Sequence, residues 1–483
     1  MEIDYTKIGF KAGLEIHQQL DTRKLFCNCP SIFRSDDPEL IVRRKLHVVA
    51  GEAGEIDEAA AHEAALGKEF VYQVYNTNCL VELDEEPPHE INKDALGIAL
   101  QISALLGATV IPITQIMRKT VIDGSNTSGF QRTVMIARDG FIDTSFGRVG
   151  ISGIFLEEDS ARLVSRRDSE AIYRLDRLGI PLVEIATMPD IKNAEQAKET
   201  ALKIGEVLRA CQVKRGIGTI RQDINISVKG SNRVELKGFQ DPKIMIRTIE
   251  KEVERQLNFV NRGLKNDKEV RNVLDDGSSV VLRPMSGAAR MYPETDLPLL
   301  KISRDMINES KKNLPKLREE TENELRKQGL SEEMISILFK ERKLEEFKEL
   351  LVILNRPQFV AKTLLVFTKE IASKKKLSFE NVLEKLEDQI PSVLELVKKG
   401  KINEGDVKGV LDRLVEGMSF DEATAKTDYN EIEEGILKII KSNPGLNENA
   451  YMGLVMQKYK GKISGSEAME IIKKHTNGFK RFT

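Results

Sequence analysis

What most constrains this chain is a two-residue alternation that repeatedly sets a carboxylate among aliphatic residues. In an extended segment, residues two apart share a face. In "AGLEIHQQL" Glu15 and His17 therefore point together, while Leu14 and Ile16 face the opposite way. Three more strand-like stretches carry acids in this way. They are Phe155-Leu156-Glu157-Glu158-Asp159, Pro181-Leu182-Val183-Glu184-Ile185-Ala186 and Gln222-Asp223-Ile224-Asn225-Ile226-Ser227. Burying several carboxylates near one another is very costly unless cations offset them. Oxygen ligands plus one imidazole suit Mg²⁺ or Mn²⁺ better than zinc, which favours nitrogen and sulfur. The bland alternative is four unrelated edge strands with solvated acids.

The strand signals cluster in the first part of the chain. "RDGFIDTSFGRVGISGIFLEED", "PLVEIAT", "TIRQDINISVKG" and "RVELKGFQ" read as strands. Among them lie amphipathic helices: "KDALGIALQISALLGATV", "NAEQAKETALKIGEVLRAC" and "KIMIRTIEKEVERQLNFV". After "YPETDLPLLKISRD" the pattern turns helical. "LSEEMISILF" and "LSFENVLEKL" each offer a serine N-cap with acids in the first turn. The expected fold class is α+β. A large, cradle-like α/β catalytic body would span 1–302, a helical connector 303–400 and a small helical tail 401–483. A length of 483 residues suits two to four domains, at about 150 residues each.

The formal net charge of −2 argues against wholesale polyanion binding but allows a local basic patch. The tail offers one, with Lys458, Lys460, Lys462, Lys473, Lys474, Lys480 and Arg481 against Glu467 and Glu470. "MEIDYTKIGF" lacks a basic start followed by an apolar core, and Asn355-Arg356-Pro357 interrupts the most apolar window. Neither a secretory signal nor a membrane span is expected, and with four cysteines in so long a chain a reducing cytoplasm is the default.

Classical nucleotide signatures are missing: there is no G-x-x-x-x-G-K-[ST] and no G-x-G-x-x-G. Instead "IDGSNTSGFQRT" follows Arg118 and Lys119, and its amides together with Ser125 and Ser128 form a candidate phosphate cradle. A flexible hairpin tip is the alternative. Cys27-x-Cys29 with the later Cys79 offers three thiolates to zinc, or two or three small buried hydrophobes.

Seven motifs, in order, resemble the GatB/GatE family of tRNA-dependent amidotransferase subunits. They are "GLEIHQQLDTRKLFC", "CLVELDEEPPHEIN", "LEEDSARL", "RLDRLGIPLVEIATMPDI", "GTIRQDINISV", "RVELKGFQ" and "ARMYPETDLP". The tail segment "NPGLNENAYMGLVMQKYKGKISG" is similar to the family's C-terminal module. The "FC", "IRQDIN" and "YPETDLP" variants favour the archaeal E branch over its bacterial relative.

The resemblance implies a two-step reaction. ATP phosphorylates the side-chain carboxylate of glutamate mischarged on tRNA(Gln), and ammonia then displaces phosphate to give Gln-tRNA(Gln). The chain has no evident glutaminase site, so the implied ammonia source is an asparaginase-like D-type partner, in a heterotetramer with two of each subunit. Carried over by motif, His17, Glu158 (or Glu157) and Glu184 match the principal metal site, and Glu15 and Asp223 match a second cation site. Arg221, Asn225, Glu235, Lys237 and Gln240 lie on adjacent strand positions and are candidates for the pocket wall, with Arg118 and Lys119 toward phosphate.

One departure stands out. The E branch carries a synthetase-like inserted domain, expected after "IEKEVERQLNFV", yet only "NRGLKNDKE" separates that helix from "VRNVLDDG". Two readings compete with the amidotransferase. One is a tRNA-binding scaffold with a structural metal site, and the other is a metal-dependent kinase or hydrolase acting on another carboxylate.

Overall fold

Leu14 and Ile16 are fully buried, and the strand that holds them, Lys11–Gln19, runs through the middle of a 12-stranded sheet. It pairs antiparallel with Pro181–Thr187 on one side and with Ile220–Ser227 on the other. Beyond Pro181–Thr187 come Gly147–Glu158, Phe130–Arg138, Met117–Thr120 and Met291–Pro293. Beyond Ile220–Ser227 come Val234–Phe239, Glu269–Val273 and Ser279–Pro284. The computed structural model describes residues 3–47, 54–56, 58–167, 169–239, 244–285, 290–341, 343–424, 429–459, 463 and 465–476.

Alternation gives this sheet two unlike faces. On one, Leu14, Ile16, Val134, Leu156, Val183, Ile185, Ile224 and Ile226 join a single apolar core. Three helices, Lys93–Leu105, Ala194–Ala210 and Met245–Asn261, cover that face. The first two are capped as their sequences ask, with the Asn92 and Asn193 side chains accepting from first-turn amides. Each fully buried large aliphatic contributes about 1.5–3 kcal/mol, so the register is strongly held. A one-residue slip would drive the acids into this core. The other face is polar and opens into a cleft.

A second sheet was not legible in the sequence. Arg162–Arg166, Glu170–Arg174, Glu69–Val74 and Leu40–Arg44 pair in that order, around Phe70, Tyr72 and Tyr173. Its central pair is parallel and joins segments about a hundred residues apart in the chain.

The chain divides into two compact units, Met1–Arg318 and Glu319–Thr483. Helix Arg304–Lys312 packs on Lys93–Leu105 and so belongs to the first unit. The named elements of the second unit are all helices among its described residues, giving the expected α+β class. Ser331 and Ser378 cap their helices by accepting from the Met334 and Asn381 amides. Its apolar side chains form two clusters, one from Leu325 to Ala423 and one from Ile432 to Ile472. Among the described residues no helix is long and apolar enough to cross a membrane.

Candidate active site

Cross-strand register assembles the polar face. His17 lies opposite Glu184 on one neighbour and Arg221 on the other, while Glu15 lies opposite Asp223. Glu157 lies opposite Leu182 and Thr133, and Lys119 lies opposite Gln131. Residues that face one another across the ladder have their Cβ atoms about 5 Å apart, so acids from four distant segments meet. They line a cleft of about 680 Å³.

Two acidic triads stand in this cleft. In the first, ligand atoms of His17, Glu157 and Glu184 lie within 4.8 Å of one another. His17 Nε2 is 3.2 Å from Glu184 Oε2. Lys119 Nζ is 2.9 Å from Glu157 Oε1 and 3.6 Å from Glu184 Oε2, and Gln131 Nε2 donates to Glu157 Oε2 at 3.1 Å. In the second triad, Glu15, Asp223 and Glu235 gather equally closely. Lys237 Nζ reaches Asp223 Oδ2 at 2.6 Å and Glu235 Oε1 at 2.5 Å. Asn225 Nδ2 donates to Glu15 Oε1 at 2.9 Å.

The electrostatics follow from burial and crowding. Burial opposes ionisation of Glu184, but the Lys119 ammonium and the His17 imidazole outweigh it and hold the carboxyl far below its usual range. Burial likewise disfavours the His17 cation, yet Glu184 and Glu157 raise its pKa overall. Glu15 is pushed up by burial first and then by the nearby Glu184 and Glu235 carboxylates. Lys237 is raised against burial by Asp223 and Glu235.

This donor set fits hard divalent cations. It is carboxylate-rich with one imidazole, and ammonium groups already sit between the carboxylates as stand-in cations. His17, Glu157 and Glu184 would hold one ion, and Glu15, Asp223 and Glu235 a second. The sequence alone marks Glu235 only as a candidate for the pocket wall. Its signal is the alternation in "RVELKGFQ", which turns Glu235 and Lys237 to one face. Gln240 lies outside the described residues.

Several expected site residues are elsewhere. Glu158 points to the back of the strand, where Arg132 Nη1 lies 3.3 Å from its Oε1 and the Arg132 amide donates to Oε2 at 3.1 Å. The choice between Glu157 and Glu158 therefore falls to Glu157. Arg118 also turns to the back. It pairs with Glu294 at 2.5 Å and Asp296 at 3.0 Å, over the Phe130 ring.

Ser125 and Ser128 form no phosphate cradle in the cleft. The Ser125 hydroxyl donates to Asp123 and the Ser128 hydroxyl to the Phe130 carbonyl. Their loop is fastened to the small sheet, with Tyr72 and Tyr173 donating to the Gly124 and Asp123 carbonyls. Gly124 has φ +86° and lies flat against Phe70, where a Cβ would come within 2.1 Å of the ring. Arg221 does face the cleft, steered by Asp159 Oδ1 at 2.9 Å. Asp159 is itself held by Gln19 Nε2 at 2.6 Å.

The cysteines form a separate cluster. Cys27, Cys29, Cys79 and Glu82 bring ligand atoms within 4.8 Å. Glu82, missed in the sequence although it follows Cys79 by three, accepts from the Cys79 amide at 2.5 Å and pairs with the buried Lys24. Thiol hydrogen bonds from Cys27 and Cys29 hold Cys79 well below the usual thiol range, while Cys29 is pushed up to about 12. Three sulfurs and a carboxylate fit a thiophilic ion such as zinc. Cys211 stands apart, its thiol pushed up to about 12 by burial.

Residues 10–308 match the family profile described as GatB/GatE catalytic domain, and residues 345–475 match that described as GatB domain. The chain is similar to the E-type subunit of glutamyl-tRNA(Gln) amidotransferase from Methanocaldococcus jannaschii, at 36% identity over 98% of this chain and 99% of the relative. The corresponding subunit of Sulfurisphaera tokodaii is 33% identical over 98% and 99%. That of Methanococcus maripaludis strain C6 is 45% identical over 304 residues, covering 62% of this chain and 47% of the relative. The first of these alignments runs over 633 positions against a chain of 483 residues, so well over a hundred positions have no counterpart here. This agrees with an inserted segment missing from this chain.

Proposed function

Since the chain belongs to the GatB/GatE family, we propose that it is the subunit of a tRNA-dependent amidotransferase that makes Gln-tRNA(Gln) from Glu-tRNA(Gln) with ATP. The observation that carries this reading is the convergence of two acidic triads in one cleft, with Lys119, Lys237 and Arg221 among them. That is the charge pattern phosphoryl transfer needs, because charge builds up on the transferring phosphate and on both oxygens flanking it. Bound Mg²⁺ or Mn²⁺, held by the residues named above, would neutralise that charge.

The chain's own groups do the rest. Lys119, Lys237 and Arg221 orient phosphate oxygens, and Asp159 fixes Arg221. A glutamyl carboxylate oxygen attacks the γ-phosphorus and ADP leaves. Ammonia then forms a bond to the acyl carbon, the C–O bond to phosphate breaks, and the amide and inorganic phosphate result. Ammonia would come from an asparaginase-like D-type partner, in a heterotetramer, and the whole would work in the cytoplasm. The cysteine cluster, with zinc, would tie the Cys27–Cys29 segment to Cys79 as a structural clasp.

The test is ATP turnover by the purified chain with Glu-tRNA(Gln), Mg²⁺ and ammonium chloride. ADP and Gln-tRNA(Gln) should form, and Glu184→Gln should abolish both while tRNA binding persists. Wild-type turnover in that variant would overturn the assignment. The tail would supply tRNA contacts. Reversing Lys458 and Lys473 to glutamate should lower the salt slope of tRNA binding by about 1 for each lysine that meets a phosphate, and an unchanged slope would remove the tail from the interface.

A further inference from the structure

Each triad has a feature that cation binding alone does not require: an ammonium already occupies it. Lys119 spans Glu157 and Glu184, and Lys237 spans Asp223 and Glu235. These are the oxygens a divalent ion would need. We propose that Lys119 and Lys237 are exchange partners of the metal ions. Each partly offsets the charge of its triad in the metal-free protein, is displaced into the cleft when an ion enters, and there takes up nucleotide phosphate. The inference rests on reading the cleft as the metal and nucleotide site.

The geometry supports exchange over simple coexistence. Glu184 Oε2 is shared by His17 and Lys119, and Lys237 takes an oxygen from two of the three acids in its triad. An ion placed among the same atoms would meet a like charge at bonding distance. Lysine suits the task because its ammonium is a compact charge on a flexible four-carbon stem, whereas arginine's planar fork favours a fixed pairing. Both side chains are about a quarter exposed, at 21% and 29%, which leaves them a way out toward the cleft.

The two triads differ in a way that orders the exchange. The first sets two carboxylates against one ammonium, and the second sets three against one. The second therefore has the larger excess of carboxylates over ammonium groups and should fill first. A released ammonium has left its carboxylate partners, and nucleotide phosphate supplies new ones. Metal and nucleotide must then strengthen each other's binding, by the same factor in both directions.

The experiment measures Mn²⁺ binding to the full chain by electron paramagnetic resonance, with and without a non-hydrolysable ATP analogue. Wild-type protein should bind Mn²⁺ weakly alone, and about tenfold or more tightly with the analogue. Lys237→Met and Lys119→Met should each bind Mn²⁺ about tenfold tighter without nucleotide, a small part of the Coulomb energy of an adjacent ammonium. They should also lose most of the enhancement by the analogue. Equal or weaker Mn²⁺ binding in both variants overturns the exchange while leaving the metal site standing. If wild-type protein binds no Mn²⁺ in either condition, the metal reading falls and the exchange with it.

A labelling experiment on wild-type protein needs no variant to fold. An amine-acylating reagent should modify Lys119 and Lys237 faster once Mn²⁺ is added, and the analogue should restore protection. Unchanged labelling at saturating Mn²⁺ also overturns the proposal.

Discussion

Both faces of the central sheet carry charged residues, and they use them in opposite ways. Behind the sheet, Arg118, Glu294, Arg132 and Glu158 form a chain in which each charge meets one of opposite sign, at 2.5, 2.8 and 3.3 Å. In front, five carboxylates gather around two ammonium groups and one imidazole. Neighbours in sequence part company here, Glu157 to the front and Glu158 to the back, Lys119 to the front and Arg118 to the back. In the ionic chain every charge is met by one of opposite sign, so it fixes structure. Carboxylates crowded together at a greater number than the ammonium groups among them cost free energy that a bound cation offsets, and that is how a fold keeps a place for one.

The sharpest way to break this contrast is to neutralise the adjacent pair separately. Glu157→Gln should lower ATP turnover at least about a hundredfold, with a melting temperature near wild type, because relief of the contact with Glu184 offsets the loss of the Lys119 pair. Glu158→Gln should do the reverse. It leaves Arg132 buried with one fewer anion, at a cost of about 3 kcal/mol, and turnover per folded molecule should stay within about tenfold of wild type. Urea unfolding and single-turnover ATP assays on both variants decide the matter. If Glu158→Gln loses turnover while keeping wild-type stability, the two faces are not functionally distinct.

This contrast also marks how far the sequence could be read. Alternation placed Glu15 with His17 and Asp223 with Asn225, and the three long amphipathic helices were plain from their period. It failed at Glu157-Glu158 because two adjacent acids leave the phase of the strand open. The register against Pro181–Thr187 and Phe130–Arg138 settles which one faces forward. The same ambiguity misplaced Arg118 beside Lys119. Ser125 and Ser128 sit in a loop whose hydroxyls are taken up by Asp123, the Phe130 carbonyl and the Glu82 carbonyl, and whose position depends on a small sheet that no local pattern announced. No local pattern links "EFVYQV" to its parallel partner a hundred residues away.

That small sheet supplies the mildest test of the contrast, since its polar groups belong with the closed, structural kind. Tyr173 is buried, and its hydroxyl donates to the Asp123 carbonyl at 2.8 Å, pinning the loop that joins the Lys119 strand to the Gln131 strand. Burial, then the Asp123 carboxylate, push its pKa up to about 12 from an ordinary value of 10.0. A tyrosine whose folded pKa is raised is favoured in its neutral form. Its contribution to stability is therefore complete below about pH 10 and lost as the pH climbs through about 12. Tyr173→Phe should cost about 1 kcal/mol at neutral pH, the worth of the hydrogen bond, and should flatten the loss of stability between pH 10 and 12. Urea titrations of both proteins across that interval measure the slope. Parallel slopes would mean that the hydroxyl does not hold the loop, and the fastening of the cleft's two strands through the small sheet would have to lie with Tyr72 and the Phe70–Gly124 contact.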